Sequence, residues 1–288
     1  MDYSKQVEKA LIYIEDQMLE DISLEDIADV ANLSCFHFHR IFTHSTGYSP
    51  MDYVRKRRLS CSSRDLVFNK TRLQEIARKY KFQSLEAYIR AFKKEFNTTP
   101  GQIRKEQNVV CSLKALKMTD IKLLMSKRKE DIIMEPKIIE LPDMKLIGLK
   151  CTTTMKENSI PQLWEKYMQV YDAIPDKLDS PCFGICVYMD MDECKEDTPF
   201  DYIAAHCVST FDNLPDNMIS YTIPKGKYAS FTHKGSLDTL DKTYSYIYGS
   251  WVNETEHEMD KRDQIELYDA RFKYGQADSE MDILIPIK

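Results

Sequence analysis

"SCFHFHRIFTHSTGYSP" (residues 34–50) and "SLEAYIRAFKKEFNTTP" (residues 84–100) align at a constant offset of 50. The stretches before them align as well. Leu24, Ile27, Ala28 and Leu33 of "SLEDIADVANLS" match Leu73, Ile76, Ala77 and Phe82 of "TRLQEIARKYKFQS". Ser23 with Asp26, and Thr71 with Gln74, have the spacing of a reciprocal helix cap. Each repeat ends on Gly47 or Asn97, residue types that tolerate the left-handed conformation closing a helix. Each then restarts at Ser49-Pro50 or Thr99-Pro100, a cap followed by proline at the first helical position. The unit is therefore helix, tight turn, helix, present twice, with a helical connector over about residues 50–67. A further helix is expected over about residues 3–19, where Val7, Ala10, Leu11, Ile14 and Met18 form one apolar stripe.

The spacing inside residues 34–50 separates two stripes. With Ser34 as cap, Phe38, Ile41, Phe42 and Ser45 fall at i, i+3, i+4 and i+7 and face the core. Phe36, His39, Arg40 and Thr43 repeat that spacing two residues out of phase, about 200° around the helix. They point the other way. In the second copy the outward set is Leu85, Glu86, Ile89, Arg90 and Lys93. Lys and Glu would dominate a face that is merely solvated. Arg can instead grip guanine with two bonds, Glu can accept from the cytosine amine, and Phe can touch a thymine methyl. The competing reading is a solvated face with one stray phenylalanine, and the second copy counts against it. Lys93, Lys94, the 55–58 cluster, Arg72 and Arg78 are expected to meet phosphates, which fix register but carry no sequence information. His37 and His39 lie on opposite helix sides, so they make no metal pair.

Length and charge agree with two functions in one chain. The 288 residues, 43% of them apolar, suggest two domains with real cores. Residues 31–130 carry a net charge of +14 and residues 131–288 a net charge of −13. The basic block suits a polyanion; the acidic block suits cations or solvent. No apolar run is long enough for a membrane span. The first 20 residues, with five acids and two lysines, do not read as a signal peptide. Eight scattered cysteines with no C-x-x-C or paired histidines argue against a zinc site or a disulfide framework. Reduced thiols in a cytoplasmic protein are the expectation. No nucleophile elbow, phosphate loop or metal cluster is visible, so neither a catalytic constellation nor a cofactor is expected.

Residues 5–106 resemble the DNA-binding domain of the AraC/XylS family of bacterial transcription regulators. The likeness rests on "LEDIADVANLSCFHFHRIFTHSTGYSPMDYVRKRRL" and "LQEIARKYKFQSLEAYIRAFKKEFNTTPGQIRK". It implies seven helices, with two recognition helices entering successive major-groove segments of double-stranded DNA. Carried over by position, it implies base contacts at Phe36, His39 and Arg40, and at Leu85, Glu86, Ile89 and Arg90. The family usually has Gly at the turn positions held here by Asn32 and Lys81. Residues 107–134 read as a helical tail and linker.

From "EPKIIELPDMKLIGLK" onward the pattern turns to strands, and a second repeat appears. "LPDMKLIGL" (141–149) matches "IPKGKYASF" (223–231) at an offset of 82, and "FDYIA" (200–204) matches "MDILI" (281–285) at 81. A helix over about 161–174 corresponds to one over about 237–250. Each half reads strand, helix, strand, strand. The fold class expected for the whole is multidomain: an all-α double helix-turn-helix domain (1–106) and an α+β domain (135–288) with helices on one sheet face. In "QIELYDARF" (264–272), strand alternation puts Ile265 and Leu267 on one face and Glu266 with Tyr268 on the other. If the apolar pair faces the helices, Glu266 faces the groove at the seam between repeats. A carboxylate so placed is either salt-bridged or awaits a cationic ligand. Aromatics are dense in this half, which holds eleven of the seventeen tyrosines and both tryptophans. Tyr188, Tyr228, Trp251 and Tyr268 are candidate walls for a cation.

Residues 135–288 resemble the GyrI-like effector-binding domain, on "IPKGKYASFTHKGSLDTLDKTYSYIYGSW" and "QIELYDARF". The resemblance implies a central pocket for lipophilic, often cationic small molecules, with the family's acidic residue at Glu266. The family often has Leu-Pro and a small residue after the tryptophan. Here the stretch is "WVNETEHEM" (251–259), so the likeness does not define the rim around Glu254 and Glu258. The function expected is a one-component transcriptional regulator whose partners are DNA, a small effector and RNA polymerase. The alternative is a hydrolase of reactive small molecules using Glu266 and Tyr268.

Overall fold

A computed structural model describes residues 3–131, 134–154, 157–187 and 199–288. The chain divides into two compact units, with the boundary after Ser126. Among the described residues no helix is long and apolar enough to cross a membrane.

The N-terminal unit is helical: α1 (Tyr3–Asp16), α2 (Leu24–Val30), α3 (Cys35–Thr46), α4 (Pro50–Phe68), α5 (Leu73–Lys79), α6 (Leu85–Phe96) and α7 (Pro100–Glu106), with α8 (Met118–Asp131) beginning in it. The reciprocal cap at α2 forms: Asp26 N–H donates to Ser23 Oγ at 3.1 Å and Ser23 N–H to the Asp26 carboxylate at 2.7 Å. Ser49 and Thr99 cap α4 and α7 in front of their prolines. Gly47 and Asn97 end α3 and α6 at φ 82° and 56°. Asn32 and Lys81, in the two tight turns, also take positive φ, 51° and 61°. One cap differs. At α5 the Arg72 N–H donates to the Glu75 carboxylate at 3.3 Å, so Thr71 and Gln74 are not the pair. The apolar register explains this, because Leu24 follows Ser23 and Leu73 follows Arg72.

Two small cores result. Phe38, Ile41 and Phe42 are buried with Tyr53 of α4, whose ring meets Phe42 edge-on at 5.9 Å. Leu59, Leu66, Ile76, Tyr80, Tyr88, Phe92 and Ile103 form the second. Residues 108–117, expected as part of a helical tail, are irregular and bound to α4. Arg57 donates to Leu113 O at 2.8 Å, Ser60 Oγ accepts from the Ser112 and Leu113 amides, and Leu116 N–H donates to the Tyr53 hydroxyl at 3.1 Å.

The C-terminal unit contains β1 (Lys137–Leu141), β2 (Met144–Thr153), α9 (Ile160–Val170), β3 (Lys177–Val187), β4 (Phe200–Val208), β5 (Ile219–Ile223), β6 (Gly226–Lys234), α10 (Leu240–Gly249), β7 (Gln264–Tyr268) and β8 (Glu280–Ile287). The eight strands make one antiparallel sheet in the order β1-β6-β8-β7-β3-β4-β2-β5. That order reads the same from both ends when β1–β4 exchange with β5–β8. Each repeat thus gains a leading strand, β1 or β5, beyond the expected strand, helix, strand, strand. An approximate twofold axis runs through the central β3–β7 pair, where Gly184 and Glu266 are registered partners.

The sheet has two unlike faces, as strand alternation requires. Leu146, Phe183, Ile185, Ile203, Tyr228, Ile265 and Leu284 build an apolar core on one. Ile147, Cys186, Tyr202, Ala204 and Val208 pack under Leu163 and Tyr167 of α9 on the other. Six cysteines are free thiols: 61, 111, 151, 182, 186 and 207.

Candidate functional site

Helix α6, expected from sequence as the second recognition helix, has the more exposed outward face. Ser84 Oγ caps α6 by accepting from Ala87 N–H at 3.0 Å. Tyr88 and Phe92 are buried, while Glu86, Arg90 and Lys93 are exposed and Leu85 and Ile89 half-buried. Glu86, Ile89, Arg90, Lys93 and Lys94 line one shallow recess. Backbone and Ser84 hydrogen bonds hold the Glu86 carboxyl below the usual range, so it is ionised. A cation, a carboxylate and an apolar contact thus share one helix surface, which suits base edges better than phosphates alone.

Helix α3 differs from its sequence reading. Phe36, His39, Arg40 and Thr43 are half-buried rather than openly solvated. Helical spacing fixes the side on which a residue lies; it does not say what covers that side. The Arg40 guanidinium sits 5.1 Å from the Phe36 ring centroid. His39 Nε2 and Thr43 Oγ1 are buried without a hydrogen-bond partner among the described residues. Burial, and then the Arg40 charge, push His39 down to about 4, so the ring is neutral at physiological pH.

His39 therefore contributes a defined pH dependence. The unfolded chain takes up this proton near pH 6.5 and the folded chain only near 4. Stability is complete above 6.5 and is lost as pH falls from 6.5 toward 4. We expect His39→Gln to reduce the fall in melting temperature between pH 7 and 5. Equal slopes for variant and wild type would contradict this.

Residues 55–58, expected at phosphates, are occupied within the unit. Arg57 forms two 2.8 Å bonds to the Glu15 carboxylate. Lys56 pairs with Glu95 at 2.7 Å, Arg55 with Asp52, and Arg58 donates to the carbonyls of Met18 and Glu20. A run of basic residues does not reveal in sequence whether its partners are phosphates or the protein's own carboxylates. Arg72, Arg78, Lys93 and Lys94 remain exposed.

In the C-terminal unit the central group is Glu266, 6% exposed at the middle of β7. Three phenols donate to it: Tyr202 to Oε2 at 2.6 Å, Tyr268 to Oε2 at 2.9 Å and Tyr244 to Oε1 at 2.5 Å. Behind them, Trp164 Nε1 donates to the Tyr202 hydroxyl at 3.2 Å, and Gln264 Nε2 to the Tyr244 hydroxyl at 2.7 Å. Tyr248 completes the chain by donating to Gln264 Oε1 at 2.7 Å. The Trp164 and Tyr268 rings meet edge-on at 4.8 Å. Burial and the Glu266 charge hold the Tyr202 and Tyr268 phenols well above their ordinary values, so both remain donors. Gly184 makes the cluster possible. A Cβ there would lie 1.9 Å from the Tyr202 hydroxyl and 3.1 Å from Glu266 Oε2.

Hydrogen bonds satisfy the carboxylate without cancelling its charge. Among the described residues no Lys or Arg forms an ion pair with Glu266. Nearby His233, buried and bonded to Thr243 at 2.7 Å, is pushed down by burial and stays neutral. The result is a buried carboxylate group bonded by three phenols and ringed by aromatic faces.

Sequence reasoning placed Glu266 and Tyr268 on one face and Ile265 with Leu267 on the other, and the structure agrees. Which face carries helices was reversed: Glu266 lies beneath Tyr244 of α10 and Trp164 of α9, and Ile265 lies in the opposite core. Strand alternation separates two faces but does not say which one a helix covers. Tyr228 is a correction for the same reason. It belongs to that opposite core, under the Arg262 guanidinium at 4.6 Å, and not to the Glu266 cluster. Trp251 packs edge-on against Phe231 at 4.9 Å. Tyr188 lies outside the described residues. The sequence reading missed Tyr202, Tyr244, Trp164, Gln264 and Gly184 as neighbours of Glu266. The 82-residue offset carried one usable signal, since it makes Gly184 the counterpart of Glu266.

The comparisons with known proteins agree with both halves. Residues 134–288 match the GyrI-like small molecule binding domain, and residues 27–106 match a helix-turn-helix domain. The uncharacterized HTH-type transcriptional regulator YbfP of Bacillus subtilis is 43% identical over 104 residues, 36% of this chain and 35% of that one. The transcriptional regulator BrlR of Pseudomonas aeruginosa is 31% identical over 157 residues, 54% of this chain and 56% of that one. The chain thus spans about a third and about half of the length of these two relatives. The right origin-binding protein of Escherichia coli is 24% identical over 302 residues, which cover 100% of both chains. With an AraC-type helix-turn-helix domain ahead of it, the chain belongs to the GyrI-like small-molecule-binding family.

Proposed function

We propose that this protein is a sequence-specific DNA-binding transcriptional regulator whose C-terminal unit binds a small lipophilic cation. Its other partners on this reading are double-stranded DNA, read chiefly by α6, and RNA polymerase. The observation that carries the proposal is Glu266, a buried carboxylate whose hydrogen bonds come from phenols and whose charge is left uncompensated. An apolar cation entering beside it would gain Coulombic attraction and aromatic contact while losing little hydration. On the same reading residues 1–106 and 135–288 are the DNA-binding and effector domains.

A charge-reversed pair of probes tests this. Tetraphenylphosphonium and tetraphenylborate share size and shape and differ in sign. The phosphonium is expected to raise the melting temperature of the C-terminal transition and to bind in calorimetry; the borate is expected to do neither. Equal binding of both would make the site a hydrophobic groove indifferent to Glu266.

The geometry favours binding over hydrolysis. Both carboxylate oxygens of Glu266 already accept from phenols, and the Tyr268 hydroxyl is held protonated. Neither group is placed to act as a free base. Turnover of a bound ligand that stops in Glu266→Gln would reverse this order.

A further inference from the structure

A second polar cluster lies on the same sheet face, beside α9. Cys182 Sγ is 3.8 Å from His206 Nδ1. His206 Nε2 is 2.9 Å from the Leu178 carbonyl, which accepts only from a protonated nitrogen. That bond leaves the Nδ1 lone pair facing the thiol. The Tyr171 ring meets His206 edge-on at 5.4 Å and fixes its plane. Tyr167 of α9 is fully buried; its hydroxyl lies against the Cys182 sulfur and makes no hydrogen bond of ordinary geometry among the described residues. Cys182 itself is a free, half-buried thiol, paired in register with Tyr268 of the Glu266 cluster. At the repeat offset of 82, its counterpart is Gln264, which is fully engaged with Tyr244 and Tyr248. The α9 lobe therefore has a nucleophile, an oriented base and a buried hydroxyl set against the sulfur where the α10 lobe has a closed network.

We propose that Cys182 and His206 form a trap for small apolar electrophiles of the α,β-unsaturated carbonyl class, so that this end of the sheet face registers its ligand covalently. In the step, the thiol proton moves to His206 Nδ1 while sulfur bonds the β-carbon and the C=C π pair moves onto the carbonyl oxygen. The Tyr167 hydroxyl donates to that enolate oxygen. His206 then returns the proton to the α-carbon. One S–H and one C=C π bond are replaced by one S–C and one C–H bond, with no oxidant or leaving group. Burial pushes the Cys182 thiol up and His206 down, so the resting pair is neutral and proton transfer accompanies attack. The trap lies on the same sheet face as the proposed cation site, with Cys182 in register with Tyr268, and it rests on that reading of the face, but its chemistry does not require Glu266.

The test is alkylation of the full-length protein by N-ethylmaleimide at pH 6.5, followed by peptide mapping. Cys182 is expected to be modified before the exposed Cys111. His206→Asn is expected to slow Cys182 by on the order of a hundredfold, the low end of what a positioned base supplies, and to leave Cys111 unchanged. Tyr167→Phe, which removes only the hydroxyl, is expected to slow Cys182 as well. Prior modification of Cys111, or unchanged Cys182 rates in both variants, would overturn the proposal. Tetraphenylphosphonium binding by Cys182→Ser separates the two readings: binding retained there while alkylation of wild type fails overturns the trap alone.

Discussion

Glu266→Gln is expected to weaken tetraphenylphosphonium binding by roughly a hundredfold without lowering the melting temperature. The size follows from Coulomb's law. A cation about 5 Å from the carboxylate, at an effective dielectric constant near 20, gains about 3 kcal/mol. The thermal result follows from the cluster. Glutamine keeps one oxygen to accept from the phenols, and its amide hydrogens can be received by a hydroxyl oxygen once Gln264 turns its own amide. The substitution also removes a buried charge, which relieves a desolvation cost. Stability is therefore expected to hold or rise while affinity falls. Binding and melting temperature falling together would show Glu266 to be a member of the folding network only.

Arg90→Ala is the second large effect. Arg90 is exposed on α6 between Glu86 and Lys93, with no core duty. Loss of one good two-pronged base contact is worth about 1–3 kcal/mol of discrimination, or about one to two decades in the ratio of operator to random-DNA affinity. Lys93→Ala is the control; where it meets phosphate, it weakens both DNAs alike and reduces the salt slope. Titrations on operator and scrambled duplexes at two salt concentrations measure both. Uniform weakening by Arg90→Ala would make Arg90 a phosphate contact as well.

What could be read from sequence had local physical causes. The double helix-turn-helix rests on caps, prolines and left-handed turn residues within a few positions of each other. Ser23–Asp26, Ser49, Thr99, Gly47 and Asn97 all act as their types dictate. The buried stripe of Phe38, Ile41 and Phe42 was equally legible, since 3.6-residue periodicity suffices. The non-local features were not. Arg57 looked like a phosphate ligand until Glu15, 42 residues away, was seen beside it. Glu266 could be singled out as a carboxylate alternating with apolar residues. Its partners Tyr202 and Tyr244 come from β4 and α10, 64 and 22 residues distant, and no pattern within β7 points to them. The palindromic strand order is what brings them together, by setting β3 and β7 on the axis and giving Glu266 a glycine as its counterpart.

The most direct measurement is a crystal of the protein with tetraphenylarsonium, whose arsenic gives an anomalous signal. The buried-carboxylate account expects one ordered arsenic within about 6 Å of the tyrosine and tryptophan ring centroids, on the helix-bearing face beside the Glu266 carboxylate. An arsenic on the opposite face near Tyr228, or ordered sites away from Glu266 with that carboxylate left in its three phenol bonds, would contradict it.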